Sequence, residues 1–187
     1  SVAAMNKPNE DGISVAWYSS WGVNETLELK PEISAPGTAI ESSLPSAATD
    51  YYGQKSGTSM AAPHMTGVTA LMNEYFDDNG IDVSGQARVQ RIENTLMSSA
   101  KIIYQPNSTI PYSPRVQGSG LVNVSAAVKT PVIIEGDTGK TKLSLREIDN
   151  TFTLKCTLQN LTDEDVTYDN IALDVIADNC GIDTETG

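Results

Sequence analysis

The clearest hydrophobic pattern in the chain has helical spacing and follows Thr58. Apolar residues recur there every three or four positions and predict a helix over residues 58–76. The predicted apolar face consists of Met60, Val68, Leu71, Met72 and Tyr75. A second helix is predicted over residues 84–99, with core positions at Val89, Ile92, Leu96 and Met97. These two helices are the longest regular elements that the sequence predicts.

Shorter elements surround the two helices. Small apolar, β-branched and aromatic residues predict strands over residues 1–6, 13–18 and 39–42. Pro36 and Gly37 predict a turn, and residues 44–54 are predicted to be a loop. Beyond the second helix, residues 104–119 have a loop-like composition, and residues 120–128 are expected to include a short helix.

The character of the chain changes at Pro131. Residues 142–148, 152–159, 166–168 and 171–176 are strand candidates, and residues 152–159 alternate apolar and polar side chains with a period of two. Four short strands with polar turns predict part of a β-sandwich. A complete sandwich has about seven strands and about 100 residues, so this one is expected to be cut short.

Composition is consistent with two regions that have different surfaces. The 187 residues are 39% hydrophobic and carry a net charge of −12. Residues 1–130 hold 12 acidic and 8 basic side chains, a balance of −4, whereas residues 131–187 hold 12 and 4, a balance of −8. This acidity argues against nucleic acids and anionic membrane surfaces as partners. No run approaches the roughly 20 apolar residues that would span a bilayer.

Two features of the acidic region leave alternatives open. Cys156 and Cys180 could form one disulfide in an oxidising compartment, or they could be two separate thiols. The carboxylates Asp163, Glu164 and Asp165 could bind calcium, but a calcium site needs ligands that converge from a defined loop. A solvated turn is the preferred interpretation of those three residues.

One serine stands out as a candidate nucleophile. Gly57 predicts a tight turn, and Ser59 follows it close to the start of the predicted helix. Free N–H groups and the positive end of the helix dipole favour developing negative charge at such a position. A serine also needs a base, and the single histidine of the chain is His64.

Four segments resemble motifs of the subtilisin-like serine peptidases (subtilases). Residues 57–64 read GTSMAAPH and are similar to the family pattern G-T-S-M-A-x-P-H around its nucleophile. Residues 30–37, KPEISAPG, resemble the segment K-P-[DE]-I-x-A-P-G that precedes it, and residues 19–22, SSWG, resemble an element before that. Residues 118–128, GSGLVNVSAAV, resemble the closing helix of the catalytic domain. The resemblance covers residues 1–129, in the order in which the family has these elements.

The resemblance implies a fold and a domain division. Residues 1–130 are expected to be the C-terminal part of an α/β subtilisin-like catalytic domain, a three-layer domain with a parallel sheet. Residues 131–187 are similar, more weakly, to the fibronectin-III-like domain that follows the protease domain in cell-envelope proteases of the lactocepin and C5a peptidase type. They are expected to form an all-β sandwich fragment.

The resemblance also assigns the site. Ser59 is expected to be the nucleophile, and its backbone N–H is expected to stabilise the oxyanion. The base His, the orienting Asp and the oxyanion Asn precede the serine in this family, and none of them can be placed in this chain. The Asp and Asn residues considered for these roles, Asn6, Asp11, Asn24 and Asp50, all lack the flanking motifs of the family. His64 matches the motif histidine after the serine, which is not the base, and a packing role is expected for it.

The expected function is therefore that of a secreted or cell-envelope bacterial serine endopeptidase, of which this chain is the C-terminal part. It is expected to be inactive alone, with an N-terminal part of the same protease and a peptide or protein substrate as partners. No cofactor or metal is expected in this chain, although calcium could bind in the parent enzyme. Two alternatives remain: a non-catalytic binding or adhesion module, and a structural chain of a nicked protease.

Overall fold

The computed structural model describes residues 1–5, 12–45, 50–145 and 148–176. Its centre holds two parallel strands, β1 (Val2–Met5) and β2 (Ile33–Pro36), in register from Val2 opposite Ile33. Three of the four residues in each strand are buried, as is expected for a parallel sheet covered on both faces. The predicted strand near the start of the chain is confirmed as β1. Parallel pairing also agrees with the expected α/β class.

Two expectations around this sheet are wrong. Residues 13–18 do not form a strand; Val15 makes a single bridge to Met5, and the chain then turns at Trp17 and Tyr18. The expected loop over residues 44–54 ends in a strand instead. β3 (Ile40–Ser43) and β4 (Tyr52–Lys55) pair as an antiparallel hairpin. This hairpin leads directly into the turn before the first helix.

Both predicted helices are confirmed, as α1 (Thr58–Asp78) and α2 (Gly85–Ser98). The buried side chains Val68, Met72 and Phe76 recur every four residues of α1 and form one stripe along it. Leu71 was expected on that stripe but is 53% exposed, because it lies one position off the i, i+4 spacing. No helix among the described residues is long and apolar enough to cross a membrane. The main core comprises Ile33, Val68, Met72, Phe76, Ile92, Leu96 and Ala127.

The chain returns to the sheet after α2. Two short helices, α3 (Pro114–Gln117) and α4 (Val124–Ala127), flank a segment that lies beside β2, where the amide of Ser34 donates to the carbonyl of Gly120 at 2.8 Å. Gly118 has φ of +67°, and a Cβ atom on it would lie 2.4 Å from the carbonyl of Glu32. No side chain fits between the backbone at residue 118 and the Glu32 carbonyl, which explains why residue 118 is a glycine. The expected short helix in residues 120–128 is confirmed as α4.

The region after Pro131 differs from the predicted set of strands. Its described part contains one antiparallel hairpin, β5 (Val132–Gly136) with β6 (Cys156–Asn160). Only β6 overlaps a predicted strand; the described residues of 142–148, 166–168 and 171–176 contain no strand. A fibronectin-III-like sandwich is therefore not seen in the described residues. The division of the chain at residue 130 stays a prediction.

The start of this region is fixed to α2 by a buried asparagine. The side chain of Asn94 is fully buried and donates to the carboxylate of Glu135 at 2.7 Å and to the carbonyl of Gly139 at 2.9 Å. Its carbonyl oxygen accepts from the Thr141 amide at 3.1 Å and from the Gln90 side chain at 2.9 Å. All four hydrogen-bonding positions of the amide are occupied. We refer to Asn94 and these partners as the Asn94 cluster.

Candidate active site

Ser59 is the second residue of α1, and its side chain is exposed. The residue before the helix, Gly57, offers no side-chain cap, and its carbonyl accepts the amides of Met60 at 3.0 Å and Ala61 at 3.4 Å. Within the described part of the chain, neither the N–H nor the hydroxyl of Ser59 has a hydrogen-bond partner. The N–H is therefore free to donate to an oxyanion, and the hydroxyl is free to meet a base.

In the turn before Ser59, the backbone at Gly57 crosses close to the backbone at Gly37. The Gly57 amide donates to the Gly37 carbonyl at 2.8 Å. A Cβ atom on Gly37 would lie 2.9 Å from the Gly57 carbonyl oxygen and 2.8 Å from the Cβ of Ala4. Side chains do not fit at these distances, so Gly37 is required by the crossing. Gly57 has φ of +157°, a conformation that side chains rarely adopt, and Gly37 permits the close approach of the two segments.

Two side-chain hydroxyls reinforce this crossing. The Tyr18 hydroxyl donates to the Gly37 carbonyl at 3.1 Å and lies 2.5 Å from Oγ1 of Thr38. On the other side, Oγ of Ser56 accepts the Ala39 amide at 2.8 Å. The segment that presents the nucleophile is thus tied to the end of β2 by backbone and side-chain bonds. Sequence reasoning missed Tyr18 and Thr38 as parts of the site.

The packing role expected for His64 is wrong for this chain. His64 is exposed, as are its neighbours Ala62 and Pro63. The reason is that α1 contacts β1, β2 and α2 with its opposite face. Five positions along an α-helix correspond to about 140° of rotation and a rise of about 7.5 Å, so His64 does not share a face with Ser59.

The candidate partners ahead of the serine do not assemble with it. Asn24 is exposed and accepts from the amides of Thr26 at 3.2 Å and Glu28 at 2.8 Å, which closes a local turn. Asp50 is exposed and has φ of +51° in the turn between β3 and β4. Asn6 and Asp11 lie outside the described residues. Among the described residues, no base is placed beside Ser59.

The metal and cysteine alternatives rest on exposed side chains. Asp163, Glu164 and Asp165 are all exposed, and the carbonyl of Glu164 accepts from the Asn160 side chain at 2.7 Å in a local turn. No group of three or more metal-ligating side chains is found in the described residues. Cys156 is exposed, and Cys180 lies outside the described residues, so their pairing stays open.

The outer surface of the helices carries apolar groups that are exposed to solvent when only the described residues are considered. Besides Ala62 and Pro63, the exposed residues of α1 include Gly67, Ala70 and Leu71. A groove of about 400 Å³ lies between α1 and α2 and is lined by side chains such as Met65, Thr69 and Val89. We call the exposed α1 surface formed by Ala62, Pro63, Gly67, Ala70 and Leu71 the bare face of α1. A slim helix face of small residues is suited to close packing against another element.

A half-buried ion-pair cluster at Glu32, the residue before β2, links the two regions. The carboxylate of Glu32 accepts from the ammonium groups of Lys30 and Lys142, the latter at 2.5 Å, and also contacts the N-terminal amine. Burial raises the pKa of Glu32, but hydrogen bonds from Lys142, Lys30 and the N-terminal amine outweigh this effect and lower its pKa to about 2. Hydrogen bonding to Glu32, against some burial, raises the pKa of Lys30. Glu32 therefore stays charged at neutral pH.

Comparison with known proteins now decides the family. The model of the subtilase family, peptidase S8, matches residues 1–121 of the chain. The chain belongs to the subtilase family. Among its relatives, the C5a peptidase of Streptococcus pyogenes serotype M6 is 32% identical over 158 residues, which are 84% of this chain and 13% of that protein. The PII-type proteinase of Lactococcus lactis subsp. cremoris is 31% identical over 181 residues, 90% of this chain and 9% of that protein.

A solved structure supports the α/β protease fold. The prenylagaramide maturation protease PagA is 26% identical and matches with a TM-score of 0.50, over 68% of this subtilase chain and 40% of that chain. The chain spans about a tenth of the length of the curated relatives it matches. Family membership is thus shown, and the resemblance inferred from the four motifs is confirmed.

Proposed function

We propose that this chain is the C-terminal part of a serine endopeptidase that cleaves peptide bonds through an acyl-enzyme on Ser59. The observation that carries the proposal is the geometry of Ser59. It is exposed at the start of α1, with a free N–H and a free hydroxyl, and it follows the crossing of Gly37 and Gly57. Membership of the subtilase family supports this role.

The proposed reaction has two steps. In the first, Oγ of Ser59 attacks the peptide carbonyl carbon while a histidine base takes the hydroxyl proton. The Ser59 N–H donates to the resulting oxyanion, and the C–N bond then breaks as the histidine returns its proton to the leaving amine. In the second step, water attacks the acyl-enzyme with the same base, which releases the carboxylic acid and restores the serine hydroxyl.

The base must come from outside these residues. His64 is the single histidine of the chain, and it does not share a face with Ser59. We propose that an N-terminal part of the same protease supplies the Asp, the His and the oxyanion Asn, and that it packs on the bare face of α1. The exposed small residues of that face support this assembly. Without it, the chain is expected to be inactive, because the members of a triad act as a unit.

The remaining expectations belong to the whole protease. We propose that it is secreted by or attached to the envelope of a bacterium, an expectation supported by its streptococcal and lactococcal relatives. Its substrates are peptides or proteins. We propose that residues 131–187 belong to a fibronectin-III-like domain; the β5–β6 hairpin supports a β-rich region. Any calcium is proposed to bind in the rest of the enzyme.

Labelling with a fluorophosphonate tests the nucleophile. The protease that contains both parts is expected to be labelled at Ser59, and Ser59→Ala is expected to abolish labelling and peptide hydrolysis. The exposed Ser43→Ala is a matched control, since that serine lies at the end of β3 in the same region. If the complete protease is not labelled, or Ser59→Ala changes nothing, the catalytic role is refuted.

An intact-mass measurement separates the alternatives. A second polypeptide that carries Asp, His and Asn motifs would indicate the structural chain of a nicked protease. A monodisperse 187-residue protein without a partner would indicate a binding or adhesion module instead.

A further inference from the structure

The Tyr18 hydroxyl shares an acceptor with the turn that presents Ser59. It donates to the Gly37 carbonyl at 3.1 Å, and the same oxygen accepts the Gly57 amide at 2.8 Å. A carbonyl oxygen has two lone pairs, so these two bonds use its full accepting capacity. The orientation of the Gly37 peptide plane therefore depends on both donors, and Gly57 is two residues from the nucleophile.

We propose that Tyr18 is a positioning residue for Ser59. Its hydroxyl fixes the Gly37 carbonyl, which holds the Gly57 N–H and, through it, the backbone from which Ser59 attacks. This inference rests on the proposed function, because it concerns the rate of the acylation step. It adds a residue that lies 41 positions before the serine and outside its motif.

The hydroxyl is oriented by its own partner. Oγ1 of Thr38 lies 2.5 Å from the Tyr18 oxygen. When Tyr18 donates to Gly37, its oxygen can accept the Thr38 hydroxyl hydrogen, so the two hydroxyls form a chain that ends on the carbonyl. Such chains strengthen their members by mutual polarisation. Thr38 thereby selects the direction in which Tyr18 donates.

The ring that carries the hydroxyl is held by packing. Tyr18 is half-buried and contacts the small cluster Ala4, Ala16, Ala35 and Ala61, and the last of these lies in α1 two residues after Ser59. The ring of Trp17 meets it edge to face, with 5.7 Å between the ring centroids. A phenylalanine would keep these contacts, so the hydroxyl can be removed without removing the ring.

Other bonds keep the turn folded when the hydroxyl is lost. The amides of Gly37 and Thr38 both donate to the Met5 carbonyl at 3.1 Å. Tyr18→Phe is therefore expected to shift the crossing rather than to unfold it. Small displacements of a nucleophile reduce the reaction rate much more than they reduce substrate binding.

The experiment compares the hydroxyls of Tyr18 and Tyr75, each of which donates to a backbone carbonyl, in the complete protease. Tyr18→Phe is expected to lower kcat and the fluorophosphonate labelling rate about three- to tenfold, with KM changed less than twofold. Tyr75→Phe is the matched control, because its hydroxyl donates to the Val128 carbonyl at 2.9 Å in the second half of α1, away from Ser59. Its labelling rate is expected to stay within twofold of the parent.

Variants of Thr38 distinguish positioning from a general loss of stability. Thr38→Val is expected to lower the labelling rate, whereas Thr38→Ser keeps a hydroxyl and is expected to retain most of it. The double variant Tyr18→Phe/Thr38→Val should lose no more than about the larger single loss, because both changes break one chain of bonds.

The outcomes are separable. If the parent protease is not labelled, the proposed function fails and this inference fails with it. If the parent is labelled and Tyr18→Phe reacts at the parent rate, or slows no more than Tyr75→Phe, Tyr18 does not position Ser59. Additive losses in the double variant would also overturn the inference, since the two hydroxyls would then act separately.

Discussion

Replacing Asn94 by alanine should release the start of the second region from α2. The change removes two donor bonds, to Glu135 and Gly139, and two acceptor bonds, from Thr141 and Gln90. A neutral hydrogen bond contributes about 1 kcal/mol and one to a charged group about 2 kcal/mol, which gives about 5 kcal/mol for the four. Because the four partners are only half-buried and water can reach them, we expect a net loss of about 3 kcal/mol.

Native-state hydrogen exchange in the complete protease measures this loss locally. A loss of about 3 kcal/mol corresponds to exchange about 100-fold faster for the amides of Ile134 and Thr141, which bond to Ser98 and Asn94. Asn160→Ala is the control, because the Asn160 side chain makes three hydrogen bonds but is exposed, and its loss should cost under about 1 kcal/mol. Acceleration below threefold in Asn94→Ala would refute the reasoning.

Three further predictions concern Gly37, Gly67 and Glu32. Gly37→Ala places a Cβ atom 2.9 Å from the Gly57 carbonyl oxygen, so the rate of fluorophosphonate labelling at Ser59 should fall at least about tenfold. Labelling at the parent rate would contradict the close approach of Gly37 and Gly57. Among the described residues, a Cβ on Gly67 meets no atom within 4 Å, so Gly67→Ala should stabilise α1 by up to about 1 kcal/mol in this chain. It should weaken assembly with the N-terminal part about tenfold, as measured by titration; unchanged assembly would mean that the bare face is not closely covered. The pKa of Glu32 is about 2, below its ordinary 4.5, so its cluster with Lys142 contributes up to about 3 kcal/mol to the free energy of unfolding above pH 4.5. This contribution is lost as the pH falls through 2. Glu32→Gln should flatten this acid dependence of stability, and an unchanged profile would refute the prediction.

The sequence predicts the elements whose signals are local. α1 and α2 are long and periodic, so the helices themselves are visible in the sequence alone, but two predicted core positions, Leu71 and Val89, are 53% and 56% exposed. The position of Ser59 at the start of α1 follows from the motif over residues 57–64. Val132–Gly136, which forms β5, also has a local strand signal, since three β-branched residues follow a proline there.

The errors come from contacts between distant segments. β4 has no clear alternation, and it forms because it pairs with β3. The exposed position of His64 depends on which face of α1 meets the sheet, a choice that the motif does not specify. The bond between Tyr18 and Thr38 joins residues 20 positions apart, and neither has a catalytic side chain. Burial of Asn94 likewise depends on residues that follow it by 41 to 47 positions.

The central claim is that Ser59 is a nucleophile that needs a second part of the protease. The most direct test is the rate of fluorophosphonate labelling, measured on the 187-residue chain alone, on the complete protease and on its Ser59→Ala variant. We expect rapid labelling of the complete protease at Ser59, and none above background for the chain alone or for the variant. Equal labelling of the chain with and without the N-terminal part, or labelling that survives Ser59→Ala, would contradict the account.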